Sequence, residues 1–362
     1  MKPFPSVAID MRMLGSSGIG TYVESLVPLV IEQCPEVRFY LIGTKERLAG
    51  LGIASDRVRT IACSAPVYSA REQVELSLRT PRHVEVFWSP HYNIPLWHRG
   101  KLLVTVHDVC HLALAPLFGG LRHVYARFMF SEVRRKAHTI LCDSQFTKKE
   151  LMRLVNVPED RIRVVYCGVQ ERWFELTKGQ PVHGKPYVLY VGNVKPHKNV
   201  AALVDAFLSI RDRIPHDLVI VGQKSGLRTG DPALLTRAAD GSGRIAFTGR
   251  ITDDALMQYV VQADALVLPS LYEGFGLPPL EAMATGCPTL VSDIEILREV
   301  YGDATIYFDP HDCEDLAKKM IMIVEDSSLR DRLRSAGRKQ ARLYSWQRAA
   351  AKTSETIREL LE

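Results

Sequence analysis

The chain has 362 residues, of which 46% are hydrophobic and 24% charged, as is typical of a soluble globular protein with about two domains. No run of about 18 apolar residues occurs, which excludes a transmembrane helix, and the opening MKPFPSVAID lacks the apolar core of a signal peptide. The net charge is +5 and the seven cysteines form no CxxC pair, so we expect reduced thiols in a cytoplasmic protein.

The charge is distributed unevenly. Residues 1–165 carry 22 Lys and Arg against 15 Asp and Glu, whereas the rest of the chain carries 24 against 26. The basic excess is concentrated at 121–153, where it would suit anionic lipid headgroups or a phosphate-bearing acceptor. A solvated helix face explains the same residues equally well. Nucleic acid is not an expected partner, because no recognition motif accompanies the charge.

Short apolar runs alternate with helical stretches along the first half of the chain. VAID at 7–10 predicts a strand, and a loop rich in Gly and Ser then leads to a helix from about Thr21. Helical periods follow at 121–137 and 146–154. Further strands are predicted in RFYLIG (38–43), EVFWSP (85–90), KLLVTVHD (101–108) and HTILCDS (138–144).

The second half repeats this alternation after a polar, broken segment at 170–186 that reads as a linker. Its predicted strands are YVLYVGN (187–193), DLVIVG (217–222), RIAFTG (244–249), ADALVLP (263–269) and CPTLVS (287–292). Alternating strands and helices predict parallel sheets covered on both faces. We therefore predict two α/β domains, 1–170 and 171–344, and a C-terminal helix within 345–362 that packs on either domain.

Two motifs of the first domain follow predicted strands. In GSSGIGTY (15–22), Gly18 and Gly20 would let the backbone approach a ligand at a helix start, although a plain tight turn explains them as well. His107 ends the strand LLVTVHD and would bond a substrate hydroxyl or support developing charge. The alternative is a histidine that is hydrogen-bonded to nearby backbone.

Two motifs of the second domain carry cations after predicted strands. In VGNVKPHKN (191–199), Lys195 and Lys198 lie at a helix start, where a lysine suits a diphosphate. In TGRI (248–251), Arg250 would lie at the same edge of the sheet and bind phosphate. Solvent-exposed surface residues are the alternative for all three cations.

The segment EGFGLPPLE (273–281) joins a buried strand to a short helix. The sequence predicts proline at the first helical position, and the N–H groups of Phe275, Gly276 and Leu277 would then line an anion site. Glu273 projects from the loop, and Glu281 is expected in the first helical turn, where the helix dipole alone would favour it. Together on one sheet edge, these groups favour a nucleotide site.

The ordered set of motifs resembles the retaining glycosyltransferases of family 4. The resemblance extends from GSSGIGTY through GNVKPHKN and the E-x7-E segment to Ser345-Trp346. E-x7-E alone is a weak signal, whereas the ordered set is specific. The resemblance implies the GT-B fold, in which two Rossmann-like, doubly wound α/β domains face a central cleft.

The resemblance also implies roles for individual residues. Glu273 would contact hydroxyls of the donor sugar, and Glu281 would bind the ribose of the nucleotide. The segment Asp143-Ser144-Gln145 matches one that faces the cleft. The implied catalytic residues are His107, Lys198 and Glu273. The implied donor-binding residues are Gly18, Gly20, Asn193, Arg250, Gly274, Phe275, Gly276, Leu277 and Glu281.

The chain departs from the family pattern at one cation. Asn193 follows Gly192 where many members carry Arg, and PHKN places His197 where close relatives read PRKN. The candidates that would replace the missing charge are Lys195, His197 and Arg250.

The implied reaction is transfer of a hexose, with retention, from a nucleoside-diphosphate sugar to a glycan or lipid-linked acceptor in polysaccharide biosynthesis. GDP-mannose is the first expected donor and UDP-glucose the second. No D-x-D motif occurs, so no metal or other cofactor is expected. The basic first domain suits peripheral contact with the inner face of a membrane.

Three rival functions remain open. A non-catalytic nucleotide-sugar-binding scaffold is supported by Asn193, and the other two are a GT-B nucleotide-sugar epimerase and a phosphorylase. An epimerase would lack E-x7-E in this setting, and a phosphorylase would need a longer chain with a pyridoxal lysine.

Overall fold

The structure is a computed structural model that describes residues 4–53, 55–222 and 243–362. The chain divides into two compact units. The first unit runs to Gly168 and includes Ser345–Glu362, and the second unit is Val169–Tyr344.

The first unit is built around a parallel sheet that has seven strands in the described residues. The strands are β1 (Ser6–Asp10), β2 (Arg38–Gly43), β3 (Val58–Ala62), β4 (Val86–Ser89), β5 (Lys101–Val106), β6 (Thr139–Cys142) and β7 (Ile162–Val164). Their order is β3-β2-β1-β4-β5-β6-β7. In this register Ala8 pairs with Tyr40 on β2 and with Phe87 on β4. Every residue of β1 is buried, because helices cover both faces of a parallel sheet.

The helices of the first unit connect these strands. They are α1 (Ser17–Gln33), α2 (Lys45–Ala49), α3 (Ala70–Arg79), α4 (Cys110–Ala113), α5 (Gly120–Lys136) and α6 (Gln145–Glu150). A π-helical turn, Leu151–Val155, continues α6. Helix α3 begins with a side-chain cap, since the Ser69 hydroxyl accepts the N–H of Glu72.

The second unit repeats the same strand order in a parallel sheet with six described strands. The strands are β8 (Tyr187–Val191), β9 (Asp217–Val221), β10 (Ile245–Gly249), β11 (Ala265–Leu268), β12 (Thr289–Ser292) and β13 (Ile306–Phe308). Their order is β10-β9-β8-β11-β12-β13. In both sheets the order in which strands are added reverses beside the first strand, and ligands of such sheets bind at the carboxyl ends of the strands near that point. The predicted α/β class with two doubly wound units is confirmed.

Helices also cover the second sheet. They are α7 (Val200–Ile210), α8 (Asp253–Gln262), α9 (Leu277–Thr285), α10 (Glu295–Tyr301), α11 (Cys313–Glu325) and α12 (Ser327–Ala341). Helices α7 and α11 pack together, and Phe207 and Met320 are fully buried in the core that they share with the sheet. An apolar face at helical spacing therefore fixes these helices against the strands.

The last helix, α13 (Trp346–Leu361), belongs to the first unit and packs against α1. The Trp346 ring lies edge-on to Tyr22, with centroids 5.9 Å apart. A Cβ at Gly168 would overlap the backbone of Trp346, so only glycine allows this approach.

All seven cysteines lie in the described residues, and none of them forms a disulfide. Six are buried and Cys313 is exposed. Among the helices in the described ranges, none has both the length and the apolar character needed to cross a membrane.

Candidate active site

The centre of the candidate site in the second unit is an ion pair between Lys198 and Glu273. The Lys198 ammonium lies 2.7 and 2.8 Å from the two oxygens of the Glu273 carboxylate. The Ser270 hydroxyl donates a further bond of 2.7 Å to the same carboxylate. Glu273 is 9% exposed, so the ammonium and the hydroxyl offset the cost of burying its charge.

Two loops bring this pair together across 75 positions of sequence. The turn Pro196–Lys198 follows β8, and the Leu271 N–H donates a 2.8 Å bond to the His197 carbonyl. Asn199 ends the turn in the left-handed conformation, at φ 53°, and its side chain donates to the Pro310 carbonyl at 2.9 Å. Asparagine is one of the few side chains that tolerates this backbone conformation.

Helix α9 starts directly after the loop that carries Glu273. Gly276 precedes it at φ 89°, and a Cβ there would overlap the Tyr301 hydroxyl, which donates to the Gly276 carbonyl. Pro278 and Pro279 occupy the second and third helical positions, not the first as predicted, because the left-handed Gly276 lets the helix begin at Leu277. The predicted donor-loop residues Gly274, Phe275 and Gly276 are buried, and Leu277 is half-buried.

Glu281 lies in the second turn of α9, and its predicted place in the first turn is wrong. A simple helix-dipole explanation therefore fails, because the dipole acts mainly on the first turn. Burial raises the pKa of the Glu281 carboxyl to about 7, an effect that Arg172 reduces and Asp253 increases. A half-buried carboxyl with such a pKa is the kind of group found at ligand sites.

The other predicted residues of the second unit lie at the same sheet edge. Asn193 follows β8, and its carbonyl accepts a 3.0 Å bond from the Tyr190 hydroxyl. Arg250 follows β10 and is exposed. Backbone bonds join the ends of the three adjacent strands, from Gly192 to Val221 and from Gly222 to Gly249. The edge thus carries the amide of Asn193 and the guanidinium of Arg250.

In the first unit, Gly18 and Gly20 lie in the first turn of α1, because this helix begins at Ser17 and not at about Thr21. A Cβ at Gly20 would lie 2.9 Å from the Gly15 nitrogen and 3.1 Å from the Met13 carbonyl oxygen. The preceding loop folds back over the helix at this point, which explains Gly20 without a ligand. Gly18 has open space where a Cβ would be.

His107 ends β5 with both ring nitrogens engaged inside the first unit. Nδ1 lies 2.6 Å from the Asp143 carboxylate, and Nε2 lies 2.9 Å from the Pro90 carbonyl. Burial alone would lower the pKa of His107, but Asp143 outweighs it and the pKa is raised. Both ring nitrogens therefore face an acceptor, and these two contacts fix the orientation of the ring. A bond from His107 to a substrate hydroxyl would require one of these contacts to break.

A buried ionic network at the carboxyl end of β1 was missed by the sequence analysis. The Arg12 guanidinium bonds Asp10 at 2.8 and 2.5 Å and Glu72 at 2.5 Å. His91 Nε2 lies 3.2 Å from the Asp10 carboxylate. Burial would raise the pKa of Asp10, but its bonds to His91 and Arg12 hold the pKa well below the usual range. The only local sign in the sequence is an acidic residue that ends an apolar strand, with an arginine two positions later.

The network also bears on metal binding. Donor atoms of Asp10, Glu72 and His91 lie within 4.8 Å of one another, an arrangement that could hold a cation. The Arg12 guanidinium bonds both carboxylates and already supplies the positive charge between them. This donor set therefore does not fit a metal ion while Arg12 is in place.

Comparison with known proteins places two family models on the chain. The model described as "Glycosyl transferases group 1" matches residues 171–340, and the model described as "Glycosyltransferase Family 4" matches residues 82–172. The first match contains Lys198, Glu273 and Glu281, and the second contains His107.

Curated relatives and solved structures agree with these matches. The O-antigen chain mannosyltransferase B of Escherichia coli is 29% identical over 279 residues, which cover 74% of this chain and 72% of that protein. The serotype-specific mannosyltransferase WbdA of Escherichia coli is 29% identical over 277 residues, and the match spans only 33% of that longer protein. The Anabaena protein HepE, solved with UDP-glucose, superposes with a TM-score of 0.76 at 14% identity, over 98% of this chain and 99% of that one. At this identity the structural likeness shows the fold alone.

Proposed function

The chain belongs to the glycosyltransferases of group 1 and family 4, and from this premise we propose that it transfers a hexose from a nucleoside-diphosphate sugar to a glycan or lipid-linked acceptor during polysaccharide biosynthesis. The observation that carries the proposal is the Lys198–Glu273 pair at the carboxyl edge of the second sheet. The pair places a cation and a carboxylate, the groups that recognise phosphate and sugar hydroxyls, within 3 Å of each other.

The donor is GDP-mannose in the first instance and UDP-glucose in the second. Support for mannose comes from the relatives, which are named mannosyltransferases, and support for UDP-glucose from the ligand of the HepE structure. In the proposed complex Glu273 accepts bonds from sugar hydroxyls, and Glu281 accepts bonds from the ribose diol. Lys198, the start of α9 and the edge residues Asn193 and Arg250 then hold the diphosphate.

The reaction proceeds with retention and without a metal ion. The bond from the anomeric carbon to the phosphate oxygen breaks, and the bond to the acceptor oxygen forms on the same face of the sugar. The acceptor proton passes to the leaving phosphate. The main task is to stabilise charge that grows on the diphosphate, and Lys198 is held beside the sugar-binding carboxylate before the donor arrives. His107 contributes from the fixed position in which Asp143 and the Pro90 carbonyl hold its ring.

The first unit also contacts an anionic membrane surface, where a lipid-linked acceptor would be found. Helix α5 exposes three apolar side chains at helical spacing, the turn before it exposes a fourth, and exposed arginines lie on the same helix. The apolar residues are Leu117, Leu121, Val124 and Phe128. The arginines are Arg122, Arg127, Arg134 and Arg135. The protein then works on the cytoplasmic side, at the inner face of the membrane.

The test of the donor proposal is a thermal-shift panel of GDP-, UDP- and ADP-sugars, followed by measurement of nucleoside-diphosphate release with and without acceptor. A donor that binds the native state raises the melting temperature. We expect GDP-mannose to give the largest shift and acceptor-dependent release of GDP. A shift without release in the presence of any acceptor would instead favour a non-catalytic sugar-nucleotide-binding protein.

A further inference from the structure

We propose that the first unit contains a saccharide-binding site in which a hexose ring of the acceptor stacks on Tyr68 while Asp108 accepts bonds from its hydroxyls. The proposal rests on the proposed function, because it supplies the site for that reaction's acceptor. It assigns a role to a buried ionic network and an exposed ring that donor binding does not use.

Tyr68 is held in an unusual backbone conformation. Its φ is 66°, in the left-handed region, where a bulky side chain is rare and costs about 1–3 kcal/mol. The ring is backed by three others, with centroids 6.4 Å away at His91, 6.0 Å at Tyr92 and 6.3 Å at Tyr125. Tyr68 nevertheless stays 47% exposed, so a ligand in solvent can reach this residue.

The buried network holds this conformation. The Tyr68 N–H donates a 2.7 Å bond to Glu72, the carboxylate that the Arg12 guanidinium also bonds. Arg12 in turn bonds Asp10, which lies beside His91, one of the rings behind Tyr68. Asp10 and Glu72 are fully buried, so the ion pairs must remain intact and Glu72 has little freedom to move. The network thus fixes the backbone of Tyr68 from beneath.

Tyr68 lies at the edge of the first sheet where a doubly wound sheet binds ligands. Asp10 is the last residue of β1, His91 lies two residues after β4, and Asp108 lies two residues after β5. These three strands are adjacent and end at the same edge. Tyr68 therefore lies at the reversal point of the first sheet, as Lys198 and Glu273 do in the second unit.

The charges select a neutral, hydroxylated ligand. Asp108 follows β5, the strand beside β4, and β4 leads to His91, whose ring lies 6.4 Å from that of Tyr68, so the Asp108 carboxylate belongs to the same sheet edge as Tyr68. Burial is the main cause that raises the pKa of Tyr68 to about 12, and the charges of Asp108 and Glu72 act in the same direction. Because Arg12 is already bonded to two carboxylates, the site would repel a phosphate. An aromatic face packs well against the C–H face of a hexose, and a carboxylate accepts bonds from neighbouring hydroxyls.

The chain offers a matched pair of variants for the test. Tyr68→Asn removes the ring but keeps a residue that tolerates the left-handed backbone, and Tyr68→Phe keeps the ring. Phe4→Asn is the control, because Phe4 has the same 47% exposure and lies before the opposite, amino end of β1.

The first measurement is saturation-transfer NMR with the methyl α-pyranosides of mannose, glucose and galactose. We expect saturation of ring protons in the wild type, Tyr68→Phe and Phe4→Asn, and at least a fivefold loss in Tyr68→Asn. This readout needs no turnover, so it stands even if the proposed transferase activity fails. Absence of saturation by all three glycosides in the wild type, or full saturation in Tyr68→Asn, would overturn the proposal.

The second measurement is kinetic and applies once an acceptor has been found. Tyr68→Asn should raise the KM for the acceptor by at least tenfold and leave the KM for the donor and the donor's slow hydrolysis unchanged. Asp108→Asn should raise the acceptor KM by a smaller factor, since an amide keeps the bond to the Cys110 N–H at 2.9 Å but loses the charge. Equal loss for donor and acceptor in Tyr68→Asn would indicate a general structural effect and would contradict an acceptor subsite.

Discussion

The two units share one strand order but present different surfaces and different polar sites. Twelve large apolar side chains are exposed in the described residues, and only two of them, Met322 and Leu343, belong to the second unit. The polar groups at the sheet edges differ as well. The Arg12 side chain in the first unit is 2% exposed and bonds two carboxylates, whereas the Lys198 side chain in the second is 23% exposed.

This difference separates two tasks on one fold. A cation that solvent can reach beside a single carboxylate is available to a phosphate-bearing donor. A buried cation that is bonded to two carboxylates serves structure, and the exposed Tyr68, whose N–H bonds one of those carboxylates, suits a neutral sugar. The shared topology thus fixes where each site lies, and the local side chains determine which ligand it accepts.

The largest expected effect comes from breaking the ion pair of the second unit. We expect Lys198→Ala and Glu273→Ala each to lower turnover by about 10²–10³-fold or more, because each removes a group aimed at the reacting sugar phosphate. Nucleoside-diphosphate release from saturating donor measures the effect, with circular dichroism to check folding. Lys318→Ala is the matched control, since Lys318 forms an exposed ion pair with Glu314 at 2.8 Å on α11, and this variant should retain most of the activity. Near-normal turnover in both variants would make the assignment wrong.

Removal of the charge of Arg12 from the buried ionic network should lower the stability of the protein. Arg12→Met leaves Asp10 and Glu72 buried without their cation, and we expect a loss of about 3–5 kcal/mol in the free energy of unfolding. Arg71→Met is the matched control, because Arg71 is 66% exposed and lies 3.3 Å from Glu75. We expect about 0–1 kcal/mol there. Urea titration compares the two, and a similar small loss for both would show that the network is not fixed as described.

The sequence predicted the fold well because its signals are local. Strands such as β1 and β5 have apolar, β-branched centres, as is typical of buried parallel strands, and helical periods separate them. Lys198 and Glu273 could also be named, since each lies in a motif after a strand. Their ion pair could not be predicted, because it depends on a backbone bond between loops more than 70 positions apart.

Other features were either not predicted from the sequence or were misplaced. No residue around Tyr68 predicts its positive φ. This conformation depends on the bond from the Tyr68 N–H to Glu72, which Arg12 holds in place. The start of α9 was misplaced by one residue because proline usually opens a helix, whereas here Gly276 provides a left-handed cap. That displacement moved Glu281 from the first turn to the second.

The apolar surface of the first unit should decide membrane binding. We expect Leu121→Ser combined with Phe128→Ser to weaken binding to vesicles of phosphatidylglycerol and phosphatidylcholine by about tenfold, because each change removes apolar area from the interface. Met322→Ser with Leu343→Ser changes the two exposed residues of the second unit and should have no effect. Co-sedimentation at two salt concentrations separates the apolar contribution to binding from the electrostatic one, since salt weakens only the contribution of the arginines. Wild-type protein that stays in the supernatant at low salt would refute the membrane contact.

A pH dependence of similar size belongs to the second unit. Burial raises the pKa of Glu281 to about 7, so the free protein holds a largely neutral carboxyl at pH 6 and a carboxylate at pH 8. A ribose diol donates to the carboxylate, so binding of the donor must first remove the proton at low pH. We therefore expect the Kd for GDP-mannose to be about tenfold higher at pH 6 than at pH 8.

Calorimetric titration with the intact sugar nucleotide is the appropriate measurement, because its diphosphate, unlike that of free GDP, has no group that titrates in this range. Glu281→Gln cannot ionise and should bind the donor with a Kd that does not change over the same interval. Glu281 would not bind the ribose if the Kd for the donor did not change with pH in the wild type. The same conclusion would follow if the Kd changed equally in the wild type and in Glu281→Gln. The charge that the second unit needs for its donor would then have to come from Lys198 and the edge residues alone.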